Sequence, residues 1–292
     1  MYPRSFDYFS PKSLGEVLEL LGAPEVKVLA GGQSLIPSLK LRTLSLRGLI
    51  DIAGVKELSF IRRNEQTLEI GAMVTIAIIE NNRTVTSSVP ILREAAEHIA
   101  DPLVRNRGTV GGNLCHGDPT NDLPAVMLAL NSSMIATSRR GTRRIGADVF
   151  FGGTSRTALA PDEVLTHVEI PIEGGSTGGA YRKVRKRSGG FTIAGVASCL
   201  SVTDEGTVGR CRIAMTAVGP KALRGEYAEE ALLGNTPTDP VLDNVAMMAV
   251  EASHPSSDVN ASSDYRRSVL RTLVKESVRS AYSRATARRG NV

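Results

Sequence analysis

The stretch AGGQSLIPSLKLR at residues 30–42 follows a short apolar segment at 26–30 and precedes a second apolar segment at 49–52. Paired glycines after an apolar run are typical of a strand that turns into a helix. The order strand, glycine turn, short helix and strand predicts a small α/β unit over about the first fifty-five residues. A further helix is predicted upstream, because Ser13 and Glu16 form a capping-box pair before an apolar periodicity.

A second glycine-rich stretch, RNRGTVGGNLCHGDPTND, occupies residues 105–122. A strand is predicted before it at 68–74 and a helix at 90–100, where apolar residues recur on one face. Another helix and several short strands are predicted after it. The sequence thus predicts a second α/β subdomain over 56–176, so that both glycine stretches fall in one domain at 1–176.

The last part of the chain begins with EGGSTGG at 173–179, a composition typical of a linker. Strands are predicted first and helices afterwards, with strands at 192–202 and 209–218 and helices at 228–233, 240–252 and 265–283. This order predicts a C-terminal α+β domain over 177–285. The final residues, 286–292, are predicted to form a frayed tail.

The composition is that of a globular protein, since 41% of the 292 residues are hydrophobic and 22% are charged. The formal net charge of +5 does not indicate a nucleic-acid-binding protein, and aromatic residues for base stacking make up only 4%. Basic residues cluster at 182–187 and in a C-terminal series from Arg266 to Arg284. Each cluster is interpreted first as a solvated face, with contact to an anionic ligand or an acidic partner as the alternative.

The three cysteines, Cys115, Cys199 and Cys211, are too widely spaced for a CxxC pair or for an iron–sulfur or zinc ligand set. An iron–sulfur cluster that works with this chain would therefore belong to another subunit. The first ten residues lack the apolar core of a signal peptide, and no segment approaches the roughly 20 apolar residues of a membrane span. These features predict a cytoplasmic protein without a membrane span.

Both glycine stretches place paired glycines beside hydroxyl or amide side chains, as AGGQS at 30–34 and TVGGN at 109–113. Paired glycines permit positive φ and let backbone N–H groups approach an anion, so each stretch is predicted to form an anion-binding nest. Two nests suit the two charges of a dinucleotide pyrophosphate, and a tight turn without a ligand is the alternative for either stretch alone. A valine at Gly32 or Gly111 is then expected to exclude the dinucleotide while the fold survives.

Other ligand motifs fit these stretches less well. Neither contains G-x-G-x-x-G with an acidic residue about 20 positions later, and neither ends in the Lys-Ser/Thr of a P-loop. A metal site formed by Cys115, His116 and Asp118 is an alternative, but neighbouring side chains rarely converge on one ion. The sequence therefore predicts no metal site in this chain.

Three longer stretches carry a family resemblance: AGGQSLIPSLKLR at 30–42, VRNRGTVGGNLCHGDPTNDLPAVMLAL at 104–130 and YRKVRKRSGGFTIAGVA at 181–197. They closely resemble the flavin-binding medium subunits of molybdenum hydroxylases in the xanthine oxidase superfamily. Such subunits occur in aerobic carbon monoxide dehydrogenase and in bacterial nicotine, caffeine and quinoline dehydrogenases. The resemblance continues through 211–234 and 258–278, so it covers nearly the whole chain.

This resemblance implies an α+β chain with an FAD-binding domain of the vanillyl-alcohol-oxidase (PCMH) type, made of two α/β subdomains, and a C-terminal flavoprotein domain. It implies a large partner subunit with a molybdopterin cofactor and a small one with [2Fe-2S] clusters, assembled as a dimer of heterotrimers. The flavin is expected to pass electrons to an external acceptor, with peripheral contact to a respiratory acceptor. The cofactor-binding residues implied by position are Ala30, Gly31, Gly32, Gln33, Ser34, Leu35, Thr109, Val110, Gly111, Gly112, Asn113, Asp122 and Lys183.

In the same pattern, Asp122 is expected to accept a hydrogen bond from a sugar or ribityl hydroxyl, and Lys183 to place a charge near the flavin ring. Two positions depart from the pattern. Carbon monoxide enzymes usually have His where this chain has Gln33, which favours an aromatic N-heterocycle of the nicotine type over carbon monoxide as the substrate. The family often has Asp where this chain has Gly190, before Phe191, so the role of that segment stays open.

Two other functions remain as alternatives. A stand-alone flavin oxidase of the same fold would need its own general base or a covalent flavin anchor, and a non-catalytic nucleotide-binding module would need only the two turns. None of the histidines lies in an evident base-orienting motif; they are His98, His116, His167 and His254. The sequence predicts no catalytic side chain in this chain that acts on the organic substrate.

Overall fold

The structure is a computed structural model that describes residues 2–187 and 189–289. Its first unit is a three-stranded parallel sheet in the order β1-β3-β2 with a helix on each face. Its elements are β1 (Asp7–Phe9), α1 (Leu14–Leu20), β2 (Val26–Leu29), α2 (Leu35–Leu41) and β3 (Gly48–Asp51). Leu49 and Ile50 alternate in β3, so that Leu49 packs with α2 and Ile50 with α1. The predicted α/β unit is confirmed.

The second unit is a five-stranded antiparallel sheet in the order β4-β5-β10-β6-β7, packed with helices. Its elements are β4 (Ile61–Arg63), β5 (Thr67–Gly71), α3 (Ile76–Asn81), α4 (Arg83–Ser88), α5 (Pro90–His98), α6 (Pro102–Arg107), α7 (Val110–His116), α8 (Asp122–Ala129), β6 (Ser133–Ser138), β7 (Gly141–Gly146), α9 (Ala147–Phe150), β8 (Phe151–Gly153), β9 (Arg156–Thr157) and β10 (Val164–Pro171). Helix α8 is apolar all round except for Asp122, and every one of its residues is buried. A helix with this pattern belongs at the centre of a core.

The third unit is a four-stranded antiparallel sheet in the order β11-β12-β13-β14, followed by three helices. Its elements are β11 (Thr177–Arg185), β12 (Thr192–Val202), β13 (Val208–Thr216), β14 (Leu223–Arg224), α10 (Glu226–Leu232), α11 (Asp239–Glu251) and α12 (Ser263–Arg289). One face of this sheet packs against α12, and Tyr181, Ala197 and Ala214 on the other face join the core around α8. The predicted order of strands before helices is confirmed.

The predicted linker is shorter than its composition suggests, because β11 already begins at Thr177. A Cβ on Gly178 would lie 2.1 Å from the carbonyl oxygen of Ala281 in α12, and one on Gly179 would lie 3.2 Å from Cβ of Ile91. These glycines let a strand pack closely between two helices, which is a different use from chain flexibility. The predicted tail from 286 is also wrong as far as Arg289, where α12 ends, and 290–292 lie outside the described residues.

The prediction that the C-terminal basic series forms a solvated face is wrong for Arg266 and Lys275. Arg266 is 4% exposed and donates to the carbonyl oxygens of Ile193 and Ala217. Lys275 pairs with Asp243 on α11 at 2.7 Å. These cations therefore hold α12 to the rest of its own unit. No helix in the described part of the chain is long and apolar enough to span a membrane.

Candidate functional site

The first glycine turn connects β2 to α2, and Gly32 is its only residue in the left-handed region, with φ of +75°. Gly31 is required for a different reason. A Cβ there would lie 2.2 Å from the carbonyl oxygen of Arg107, so only glycine allows the segment before the second turn to approach this closely. The side-chain amide of Gln33 donates to the carbonyl oxygen of Gly31 at 3.2 Å and stiffens the turn.

The second glycine stretch is the start of α7, with Thr109 as its N-cap. Neither Gly111 nor Gly112 has positive φ, so the expected nest conformation is wrong here. A Cβ on Gly111 would lie 2.6 Å from Cβ of Ala72, and one on Gly112 would lie 3.5 Å from Cβ of Ala30. Gly111 therefore serves close packing against the segment after β5. A Cβ on Gly112 would lie 2.8 Å from Oγ1 of the N-cap residue Thr109, so this glycine leaves room for the cap, and its distance to Ala30 is an ordinary van der Waals contact.

The two turns, almost eighty residues apart in sequence, therefore meet directly. Beside their contact lies a cleft of about 450 Å³. Its lining consists of Leu29, Ala30, Gly31, Gly32, Gln33, Ile36, Pro37, Lys40, Asp51 and Arg107. Neither cation of this lining, Lys40 or Arg107, has an ion-pair partner among the residues that the structure describes. The cleft thus places two positively charged side chains beside a glycine turn, an arrangement that suits an anionic ligand.

The two turns offer different hydrogen-bonding groups. The N–H groups of Gly32, Gln33 and Ser34 donate to no other group within the described ranges, and three successive free N–H groups form an anion-binding concavity. In the second stretch, residues 110–113 all use their N–H groups inside the protein. The first turn is therefore the one that can bind a phosphate through the backbone.

The second stretch contributes a side chain instead. Oδ1 of Asn113 is buried and has no hydrogen-bond partner within the described chain. A buried amide oxygen without a partner costs free energy, so it points to a donor that the protein itself does not supply. Asn121 Nδ2 donates to the carbonyl oxygen of Asn113 at 2.9 Å and holds this residue in place.

The loop before α8 is attached to the C-terminal sheet. Oγ1 of Thr216 at the end of β13 lies 2.8 Å from the carbonyl oxygen of Pro119 and 2.7 Å from that of Asn121, so its single O–H is shared between the two acceptors. Thr216 is fully buried. Through Asn121, the C-terminal unit thereby supports Asn113 in the second glycine stretch.

Asp122 lies in a buried polar cluster at the start of α8. Its carboxylate accepts hydrogen bonds from Lys183 Nζ at 2.8 and 3.0 Å, from Thr192 Oγ1 at 2.9 Å and from the Tyr181 hydroxyl. Burial, together with the charge of Asp122 and its hydrogen bond, raises the pKa of the Tyr181 phenol well above its usual value of 10.0, so the phenol stays protonated. The two predicted residues, Asp122 and Lys183, thus contact each other.

The basic segment 182–187 is consequently not a simple solvated face. Lys183 is buried with Asp122, and Arg182 pairs with Glu94 of α5. Arg185 donates to the carbonyl oxygen of His98, whose pKa is lowered by burial and by the charges of Lys183 and Arg185. The solvated interpretation is therefore wrong for Arg182 and Lys183.

Sequence reasoning missed Tyr181 and Thr192, although both lie within the quoted stretch 181–197. The available signal was the period of two in β11, which puts Tyr181 and Lys183 on one face of the strand. It also missed Lys40, Asp51 and Arg107, which only the folded cleft brings together.

The alternative metal site is not formed. Asp118 accepts hydrogen bonds from the backbone and hydroxyl of Thr120, at 2.8 and 2.6 Å. Burial raises the pKa of the Cys115 thiol to about 12, which disfavours a thiolate ligand. Within residues 2–187 and 189–289, no group of three or more His, Cys, Asp or Glu side chains is arranged to hold an ion.

Comparison with known proteins covers both parts of the chain. Residues 4–173 match the FAD binding domain in molybdopterin dehydrogenase, and residues 179–281 match the CO dehydrogenase flavoprotein C-terminal domain. The carbon monoxide dehydrogenase medium chain of Hydrogenophaga pseudoflava is 38% identical over 97% of this chain and 99% of its own. The 6-hydroxypseudooxynicotine dehydrogenase complex subunit alpha of Paenarthrobacter nicotinovorans is 36% identical, over 98% of this chain and 97% of its own.

Among solved structures, the carbon monoxide dehydrogenase from Hydrogenophaga pseudoflava that lacks the Mo-pyranopterin moiety superimposes with a TM-score of 0.95. The sequence identity is 40%, and the match covers 97% of this chain and 99% of that chain. The shared fold and the two consecutive domain matches extend over nearly the whole chain. The chain belongs to the family of flavoprotein medium subunits of the molybdopterin dehydrogenases.

Proposed function

We propose that this chain binds FAD with the pyrophosphate in the cleft beside the first glycine turn. The observation that carries the proposal is the set of three free N–H groups at 32–34 in the first turn, beside the cleft that also holds the cations Lys40 and Arg107. The unpartnered Asn113 Oδ1 belongs to the adjoining second stretch, outside the lining of the cleft. Residues 30–35, 109–113, Asp122 and Lys183 remain the proposed cofactor-binding set. In the second stretch, we propose that side chains rather than N–H groups contact the cofactor.

The proposed role is electron transfer within a larger complex. FAD supplies the redox chemistry, and this chain supplies position, charge and exclusion of solvent. The proposed partners are a large molybdopterin subunit and a small [2Fe-2S] subunit, and the complex is proposed to be a dimer of heterotrimers. Electrons leave the flavin to an external acceptor, for which a respiratory acceptor in peripheral contact is one candidate. The names of the relatives as medium chain and complex subunit support an assembly of this kind.

Three finer assignments belong to the same proposal. We assign the FAD-binding part, residues 1–176, to the vanillyl-alcohol-oxidase (PCMH) type, because its first unit is parallel and its second antiparallel around one cleft. We assign 177–285 to the C-terminal domain. A cytoplasmic location stays a prediction from the sequence.

For the substrate we propose an N-heterocyclic aromatic of the nicotine type, with carbon monoxide as the alternative. Gln33 supports the first choice through the family pattern. The relatives named for carbon monoxide and for 6-hydroxypseudooxynicotine are nearly equal in identity, at 38% and 36%, so identity alone does not separate the two.

The cofactor proposal is tested by acid precipitation of the purified full-length chain. Noncovalent FAD should appear in the supernatant at close to one per chain. FMN in the supernatant would contradict binding of the pyrophosphate, and flavin in the pellet would contradict noncovalent attachment.

The subunit proposal is tested with the isolated chain loaded with FAD. After chemical reduction it should pass electrons to an artificial acceptor, yet it should not oxidise nicotine or carbon monoxide. Oxidation of either compound by this chain alone would favour a stand-alone oxidase. Failure to reduce any acceptor would favour a non-catalytic nucleotide-binding module.

A further inference from the structure

Asp51 is the last residue of β3, the strand that runs parallel to the strand before the first glycine turn. Strands β2 and β3 are parallel neighbours, and Asp51 pairs with Leu29, the last residue of β2. The chain runs from Leu29 through the turn and α2 to β3, so Asp51 ends the next parallel strand. It comes twenty residues after Gly31.

This geometry occurs in other dinucleotide sites. In a Rossmann βαβ unit, a glycine turn after one strand takes the pyrophosphate, and an acidic residue about 20 positions later ends the adjacent strand and binds the ribose hydroxyls. The present sheet has only three strands and no G-x-G-x-x-G sequence. The spatial relation between glycine turn, parallel neighbour and carboxylate is nevertheless the same.

The carboxylate of Asp51 is held in a fixed orientation. The hydroxyl of Tyr8 on β1 donates to Oδ2 at 2.6 Å, and the N–H of Ala53 donates to Oδ1 at 2.9 Å. An ionised carboxylate offers about four acceptor positions, so about two remain for a ligand. Asp51 is partly exposed and lines the same cleft as residues 30–33.

The distribution of charged side chains in the cleft predicts the orientation of the bound ligand. Lys40 and Arg107 line it together with the turn, whereas Asp51 is its one acidic side chain. A carboxylate repels phosphate but accepts hydrogen bonds from hydroxyl groups. The phosphates therefore belong with the turn and the cations, and a group rich in hydroxyls belongs beside Asp51.

We propose that Asp51, oriented by Tyr8, binds the hydroxyl groups of the adenosine ribose and so places the adenosine half of the dinucleotide over β3. This inference rests on the proposed binding of FAD and extends it to the orientation of the cofactor. The flavin half then extends from the turns in the opposite direction.

The test is calorimetric titration of the full-length chain, stripped of flavin, with FAD and with its 2′-deoxyadenosine and 3′-deoxyadenosine analogues. The wild-type chain should bind at least one analogue about 10- to 100-fold more weakly than FAD, the effect of losing a hydrogen bond to a charged group. Asp51→Ala should bind FAD as weakly as the wild type binds that analogue, and should no longer distinguish the two ligands.

Two further variants secure the result. Asp51→Asn keeps an oxygen for the N–H of Ala53, so it tests the loss of charge if the alanine variant folds poorly. Glu57→Gln changes an exposed acid six residues further along the chain, outside the lining of the cleft, and should bind all three ligands like the wild type. Unchanged discrimination in both Asp51 variants would overturn the assignment, whereas no binding of FAD by the wild type would overturn the proposed function itself.

Discussion

Lys183 Nζ lies 2.8 Å from Oδ2 of Asp122, and the two side chains are only 2% and 6% exposed. The pair joins β11 of the C-terminal sheet to the first residue of α8, so it connects two units through their shared core. Tyr181 and Thr192 both donate to Oδ1 of the same carboxylate. Because the charges cancel, the pair as a whole adds little net field to its surroundings.

Replacement of Lys183 by Met should destabilise the fold by about 3–5 kcal/mol, since it leaves the buried carboxylate of Asp122 without its cation. The double variant Asp122→Asn, Lys183→Met should recover much of this loss. Urea unfolding measures both. Lys186→Met is the control, because that side chain is exposed and should change stability by no more than about 0.5 kcal/mol.

The same variants distinguish two electrostatic effects on bound FAD. If the pair lies near the flavin, Lys183→Met exposes the negative charge of Asp122 and should lower the midpoint potential. A unit charge about 4–8 Å away contributes on the order of 2–4 kcal/mol at an effective dielectric near 20. The double variant should then return towards the wild-type potential; a double variant that stays low would show that the charge of Lys183 acts by itself.

The pairing of Lys183 with Asp122 also shows what the sequence could not predict. Strand and helix bounds followed from periodicity and caps: β12 was predicted at 192–202 and is found there. Ion pairing depends on contacts between residues sixty apart, which no local pattern records. The basic run at 182–187 by itself therefore predicts a solvated face, with contact to an anionic ligand or an acidic partner as the alternative, and it does not indicate the pairing of Lys183 with a buried carboxylate.

Glu94 gives a prediction for the dependence of stability on pH. Burial raises its pKa, but the hydrogen bonds from Arg284, from the N–H of Tyr181 and from Arg182 outweigh burial and lower the pKa below the usual 4.5. A lowered folded-state pKa means that the stabilisation is complete above about pH 4.5 and is lost as the pH falls through the folded-state value. Arg284 Nη1 contacts Glu94 at 2.7 Å, so α12 depends on this carboxylate.

Glu94→Gln should accordingly cost about 1–3 kcal/mol at pH 7, the scale of hydrogen bonds to a charged group. The difference from wild type should stay constant down to about pH 5 and shrink below pH 4.5. Denaturant titrations across this range measure it. Glu97→Gln is the matched control on the same helix, where the exposed pair with Arg93 should contribute less than about 0.5 kcal/mol.

Gly32 and Gly234 form a matched pair for testing the first turn, because their φ angles are +75° and +72°. A valine at either position carries similar backbone strain, but only Gly32 borders the cleft. Gly32→Val should therefore lose FAD, whereas Gly234→Val should keep it. Gly32→Val should also be the less stable of the two, because a Cβ there would lie 3.1 Å from Ile36 and one at Gly234 would meet nothing within 4 Å, so flavin content is compared well below both melting temperatures. The flavin-to-protein ratio and the melting temperature together decide; equal flavin content in the two variants would reduce the turn to a structural feature.

The earlier expectation for Gly111→Val changes with the structure. A Cβ there already lies 2.6 Å from Ala72, so the valine variant should unfold before it reports on the cofactor. The sequence shows paired glycines at both stretches. It does not show whether a glycine is needed there for a positive φ angle or for close packing against a neighbouring segment. Likewise, no sequence motif marks Asp51, because the Rossmann fingerprint combines the acidic residue with G-x-G-x-x-G, whereas the fold needs only a glycine turn and a parallel neighbouring strand.

Arg107 should strengthen FAD binding by long-range attraction, because it lines the cleft and has no ion-pair partner among the described residues. Arg107→Gln is expected to weaken binding about 3- to 10-fold at low salt, and the difference should shrink near 1 M salt, where the Debye length falls to about 3 Å. Arg63→Gln, an exposed arginine of β4 away from the cleft, is the control. A salt-independent loss in Arg107→Gln would indicate damage to the turn.

Thr216 tests whether the C-terminal sheet supports the cofactor cleft. Its hydroxyl holds the carbonyl oxygens of Pro119 and Asn121, and Asn121 in turn holds Asn113. Thr216→Val keeps the shape of the side chain but removes the hydroxyl donor shared by the two carbonyl oxygens, which should cost about 1–3 kcal/mol of stability. Because the loosened loop carries Asn121, which holds Asn113, FAD affinity should fall as well.

The control for Thr216 is Thr177→Val, which removes a hydrogen bond from another buried threonine, Oγ1 to the carbonyl oxygen of Glu173 at 3.2 Å. This bond lies at the start of β11 and has no connection to Asn113. If support of the cleft is the role of Thr216, the ratio of lost FAD affinity to lost stability should be larger for Thr216→Val than for Thr177→Val. Equal ratios would mean that flavin loss merely follows instability, and the two titrations, performed on the same preparations, separate these outcomes.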